Sequence, residues 1–103
     1  MAYVSVSTMT PAEGREEDAR WLNEELVTFY RQQDGCIGSH FVVAADGAGE
    51  QGRVSFWQSE RHADAAAVLD HSLYLRSRLH LAVRDGHQQR SFTTELTAAV
   101  TSF

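Results

Sequence analysis

The chain has no lysine: its nine cationic residues are all arginine, set against fourteen Asp and Glu. Without an amine there is no Schiff-base chemistry and no P-loop ammonium. The all-arginine usage reads as genome composition rather than mechanism. A net charge of −5 leaves no basic face for phosphates, which argues against nucleic acid or an anionic membrane as partner. The lone cysteine, Cys36, cannot form an internal disulfide, as expected in a reducing compartment. No apolar run approaches the ~20 residues that span a bilayer. The opening MAYVSVSTMT lacks the basic-then-apolar order of a signal peptide, so a cytoplasmic protein is expected.

Metal-binding spacing is missing as well. The five histidines are 40, 62, 71, 80 and 87, and the intervals 62 to 71 and 71 to 80 are both 9 residues. A helical metal site wants ligands four apart, no cysteine cluster exists, and Asp64 and Asp70 stand singly, so neither metal nor cofactor is expected. Neither Ser5 nor Ser7 lies in a G-x-S-x-G context, so nucleophilic serine chemistry is not supported. DGAGEQG at 46–52 lacks the P-loop lysine and reads as a hairpin turn.

What remains is an ordinary globular composition, 43% apolar and 22% charged over 103 residues, read as one domain spanning 1–103. Tyr3 to Met9 alternates as a half-buried strand, with Tyr3, Ser5, Ser7 and Met9 on one face. Thr10-Pro11-Ala12-Glu13 looks like a capping box opening a helix. That helix carries Ala19, Leu22, Leu26, Phe29 and Gln33 inward, with Glu16, Glu17, Arg20, Asn23, Glu24 and Arg31 outward. Asp34-Gly35 ends it.

Cys36 to Ala45 is the second strand, Gly38 marking a bulge, and Arg53 to Ser59 is the third. Ser59-Glu60 caps a helix running to about Leu69. A break containing His71 follows, then a helix from Leu73 to about Val83, a turn at Asp85-Gly86 and a strand from Ser91 to Val100.

The order β-α-β-β-α-β is that of an α+β, ferredoxin-like antiparallel sheet with helices on one face. Val4, Val6, Trp57, Phe92, Leu96 and Val100 cannot all face the helices. A large apolar sheet face implies a partner, and a homodimer packed sheet to sheet is the simplest solution.

Three segments resemble the antibiotic-biosynthesis-monooxygenase-like group of dimeric α/β-barrel proteins: Asp34-Gly35-Cys36-Ile37-Gly38, Trp57-Gln58-Ser59-Glu60 and Asp70-His71-Ser72-Leu73-Tyr74-Leu75. The match follows nearly the whole chain in order and spacing. It implies a dimeric barrel with a pocket between sheet and helices in each subunit. It also implies a cofactor-independent monooxygenase acting on a flat, aromatic or polyketide-like molecule, or a non-catalytic ligand-binding dimer. His71 matches the family's pocket histidine and would accept a proton, its alternative being a helix-end hydrogen bond. Tyr74 would donate a hydrogen bond to an oxyanion or pack at the surface. Trp57 would stack on the ligand or serve as core bulk. Ser5, Ser7 and His40 complete the expected binding set. Haem degradation fits poorly: those relatives use an Asn on the first strand and a Trp on the second helix, where this chain has Ser5, Ser7, Thr8 and Ala65-Ala66-Ala67.

Overall fold

Strand and helix alternate as the hydrophobic periods require. The computed structural model describes residues 1–84 and 87–95. Its elements are β1 (Ala2–Met9), α1 (Glu16–Arg31), β2 (Cys36–Val43), β3 (Gln51–Trp57), α2 (Glu60–Ala67), α3 (Asp70–His80) and β4 (Gln88–Thr94). The four strands form one antiparallel sheet in the order β2-β3-β1-β4, and the helices pack against one of its faces. This is the ferredoxin-like α+β arrangement.

The register divides the side chains between two faces. Tyr3, Ser5, Ser7 and Met9 stand beside Trp57, Ser55, Arg53 and Gln51. All eight face the helices, as the burial of Met9, Trp57 and Ser55 in that layer shows. Val4, Val6, Val54, Phe56 and Phe92 take the opposite, open face. Trp57 therefore belongs to the helix side, which resolves the crowding that its pattern implied. Its edge meets Tyr30 at 5.8 Å within a core of Met9, Ala19, Leu22, Leu26, Leu75 and Leu79.

Several local expectations change. Thr10-Pro11-Ala12-Glu13 does not open α1. Pro11 bridges Val83, the Ala12 N–H donates to the Ala82 carbonyl at 2.9 Å, and Arg84 donates to Thr10 at 2.8 Å. The segment is thus tied to the end of α3, and Gly14 at φ +80° turns the chain before α1 begins at Glu16. No side chain caps α1; Glu16, Glu17 and Asp18 in its first turn complement the helix dipole instead.

Asn23 is not on the outer face of α1. It is fully buried, because 19, 22, 23, 26, 27 and 30 form one continuous stripe. The helix break is shorter than expected, only Val68 and Leu69, so His71 sits in the first turn of α3. The Ser59 cap is present, its Oγ accepting from the His62 N–H, and the strand register shifts at Gly38. β4 begins at Gln88, three residues before the expected start; the turn at Asp85-Gly86 and the strand from Leu96 to Val100 lie outside the described residues.

Candidate functional site

On the helix side of the sheet, small residues leave space. Ser5 and Ser7 on β1, Ser55 on β3, and Ala63 and Ala67 on α2 cannot fill the gap that Leu and Met fill at the other end. The alanine-rich face of α2 is thus more than a helix-former: it stands back from the sheet. The result is a cavity of about 60 Å³, lined further by Tyr3, Tyr30, Arg53, Trp57, Asp64, Arg76 and Gln89. That is room for a few waters or one small group.

Polar pairs fix the walls. The Tyr30 hydroxyl bonds Ser72 at 2.7 Å, Ser39 bonds Ser55 at 2.8 Å, and Tyr3 donates to Ser91 at 2.7 Å. Among the described residues no buried side-chain nitrogen or oxygen lacks a partner.

Arg53 is the unusual member. It stands at an inward position of β3 and is only 5% exposed. Its Nη1 donates to Asn23 Oδ1, while Asn23 Nδ2 donates to Gln51 Oε1 at 3.0 Å. The guanidinium is therefore positioned by a buried amide chain and not by a carboxylate. Burial pulls its pKa down to about 10, with Tyr30 opposing and Arg76 adding to the fall, so it stays charged at neutral pH. The ion pairs among the described residues are Arg15–Asp18 and Arg20–Glu24, both on the surface of α1.

Arg76 reaches in from α3 and donates to the Ala67 carbonyl at 3.2 Å, the last residue of α2. Arg53 and Arg76 also line an adjoining open groove of about 410 Å³ with Leu73, Ser77, Leu79, His80 and His87. Burial pushes the His87 imidazole below its ordinary value, and Arg53, Arg76 and His80 add to this.

The expected residues divide. The structure brings Ser5, Ser7 and Trp57 together in the cavity wall. It places His71 on the solvent side of α3, edge-on to Phe29 at 5.0 Å and stacked on Tyr74 at 6.5 Å. Tyr74 is 55% exposed and accepts from Arg78 at 3.2 Å. His40 lies on the other sheet face, opposite Val54 and against Phe56. Among the described residues no histidine lines the inner cavity. Among the described residues no three His, Cys, Asp or Glu converge as metal ligands.

The sequence alone does not point to Arg53 or Arg76, reads Asn23 as outward and leaves Asp64 a solitary acid. A signal for two of them was present. Arg53 is two and four residues from Ser55 and Trp57, on their face of the strand. Asn23 lies within the α1 stripe, four residues after Ala19.

No protein-family model matches the chain, and no curated protein sequence does. Solved structures do. The Mycobacterium tuberculosis protein Rv0793 superposes with a TM-score of 0.85 at 19% identity, over 95% of this chain and 99% of its own. The cofactor-independent oxygenase SnoaB of Streptomyces nogalater gives 0.80 at 14% identity, over 93% and 95%. A candidate antibiotic biosynthesis monooxygenase from Nitrosomonas europaea gives 0.85 at 12%, over 92% and 91%. At these identities the likeness carries the fold: this chain has the fold of the antibiotic-biosynthesis-monooxygenase-like proteins.

Proposed function

We propose that this protein binds a flat aromatic molecule in the groove that adjoins its inner cavity, with one polar group reaching into the cavity, and oxygenates it without a metal or organic cofactor. The observation that supports this reading most is the cavity wall, where Trp57 and Tyr30 meet edge to face beside the hydroxyls of Ser5, Ser7 and Ser55. The aromatic edges bound a space sized for one small group, and the hydroxyls orient a phenol or ketone oxygen that reaches into it. Asp64, an exposed residue of α2 whose carboxylate reaches the cavity wall, takes the proton in this reading; His71, which the resemblance implies for that role, stands on the solvent side of α3. Deprotonation of a methylene flanked by aromatic rings gives an electron-rich carbanion. Dioxygen then accepts four electrons from that carbon: one oxygen atom becomes its carbonyl and the other leaves as water.

The test is oxygen uptake by metal-stripped protein given anthrone. The proposal expects consumption, with one atom of ¹⁸O₂ in the anthraquinone product and loss of activity in Asp64→Asn. Uptake no faster than the protein-free rate would refute it.

The small inner volume and the absence of an imidazole from the wall favour a second reading, a ligand-binding protein that performs no turnover. It expects stabilisation by aromatic ligands that are recovered unchanged under air.

In both readings two copies pack through the open sheet face. Val4, Val6, Val54, Phe56 and Phe92 lie there together, and Phe92 is 44% exposed. Light scattering of wild type against Phe56→Asp tests this; a monomeric wild type at micromolar concentration would remove it. Among the described residues no helix is long and apolar enough to cross a membrane.

A further inference from the structure

We propose that the ligand carries a carboxylate, held where the inner cavity meets the outer groove by the paired guanidiniums of Arg53 and Arg76. This rests on the cavity being the ligand site but not on turnover.

The first ground is charge. Arg53 is almost fully buried, and its side-chain acceptor is the neutral Asn23 amide. A desolvated guanidinium with a neutral partner is costly to hold, and the cost falls when an anion completes it. Asp64 stands in the same wall but is within ion-pair distance of neither arginine.

The second ground is convergence. Arg76, docked by the Ala67 carbonyl at 3.2 Å, lines both spaces together with Arg53. His80 and His87 line the outer groove with them. A protein of net charge −5 thus gathers two arginines at one opening. That local sign attracts a small anion and repels a cation.

The third ground is shape. Leu73 and Leu79 flank the outer groove and supply apolar contact, while the guanidiniums mark one end of it. At about 410 Å³ the groove suits a two- or three-ring compound with its acid group pointing inward. A phenol alone does not answer the charge, because it is neutral at pH 7. A carboxylate is permanently ionised there and matches the planar fork of an arginine.

Binding of 2-naphthoate and of its uncharged isostere 2-naphthamide to the full chain, measured by titration calorimetry under nitrogen, tests this. The naphthoate is expected to bind about tenfold or more tightly, the size of one charged hydrogen-bond contribution. In Arg53→Gln and in Arg76→Gln that preference should fall to about twofold or less. Should Arg53→Gln fail to fold, Arg76→Gln decides alone, since Arg76 is only partly buried. Equal affinity for acid and amide, a preference that survives Arg76→Gln, or no binding of either compound overturns the proposal. The readout is heat of binding without oxygen. Failure of the oxygenase reading, with the acid preference intact, is therefore a separate result.

Discussion

The two faces of α3 carry different kinds of chemistry. On the outer face His71 and Tyr74 stack together in solvent; on the inner face Arg76 joins Arg53 beside Trp57 and Tyr30. The outer pair has the residue types that proton transfer favours. It lacks a surrounding wall that would exclude water or hold a substrate in place. The inner set is walled by sheet and helix, and the Gln51–Asn23–Arg53 chain fixes its guanidinium. Residue type alone therefore misleads, and a cavity that orients its groups is what distinguishes the two regions.

Substitutions should separate the faces, with the largest effect inside. Trp57→Ala removes the largest ring of the core cluster and should cost about 3–5 kcal/mol of stability, read from urea unfolding. Asn23→Leu takes away the side-chain acceptor of Arg53 and should cost about 1.5–3 kcal/mol. Adding Arg53→Met to that variant should recover much of the loss in a double-mutant cycle, because the unpaired buried charge leaves with it.

A smaller effect is expected from acid. His87 is held below its ordinary value in the fold, so the unfolded chain binds the proton more readily. Its contribution to stability is whole above the ordinary histidine value and is lost as pH falls from there through the lowered folded value. His87→Gln should flatten that part of the stability–pH curve. The smallest effect belongs to the outer face. His71→Ala should change stability by less than about 0.5 kcal/mol, since the ring is exposed. A loss comparable with that of Trp57→Ala would erase the distinction between the faces.

How much of this was legible beforehand depends on what each signal measures. Strand alternation and the Ser59 cap are local, and the element order follows from them, whereas which sheet face meets the helices is settled only by the register. The start of α1 was misread because the pairing of Pro11 with Val83 joins segments far apart in sequence. His71 was expected in a break that turned out to be two residues long, a difference of less than one helical turn. That shift is enough to carry a side chain from the inner face to solvent. Arg53 and Asn23 are the instructive pair. Both face the helix layer, yet the polarity of Asn23 reads as an outward position and Arg53 carries no site signal of its own. Burial of a charge needs a partner, and here that partner is brought from another element.

In both readings the space between sheet and helices, rather than the His71–Tyr74 surface, receives the ligand. Backbone amide shifts of isotope-labelled protein titrated with 2-naphthoate test it most directly. The largest changes are expected at Ser7, Arg53, Ser55, Arg76 and Gln89, with His71 and Tyr74 little moved. Changes centred on His71 and Tyr74, with Arg53 and Ser55 unmoved, would contradict it.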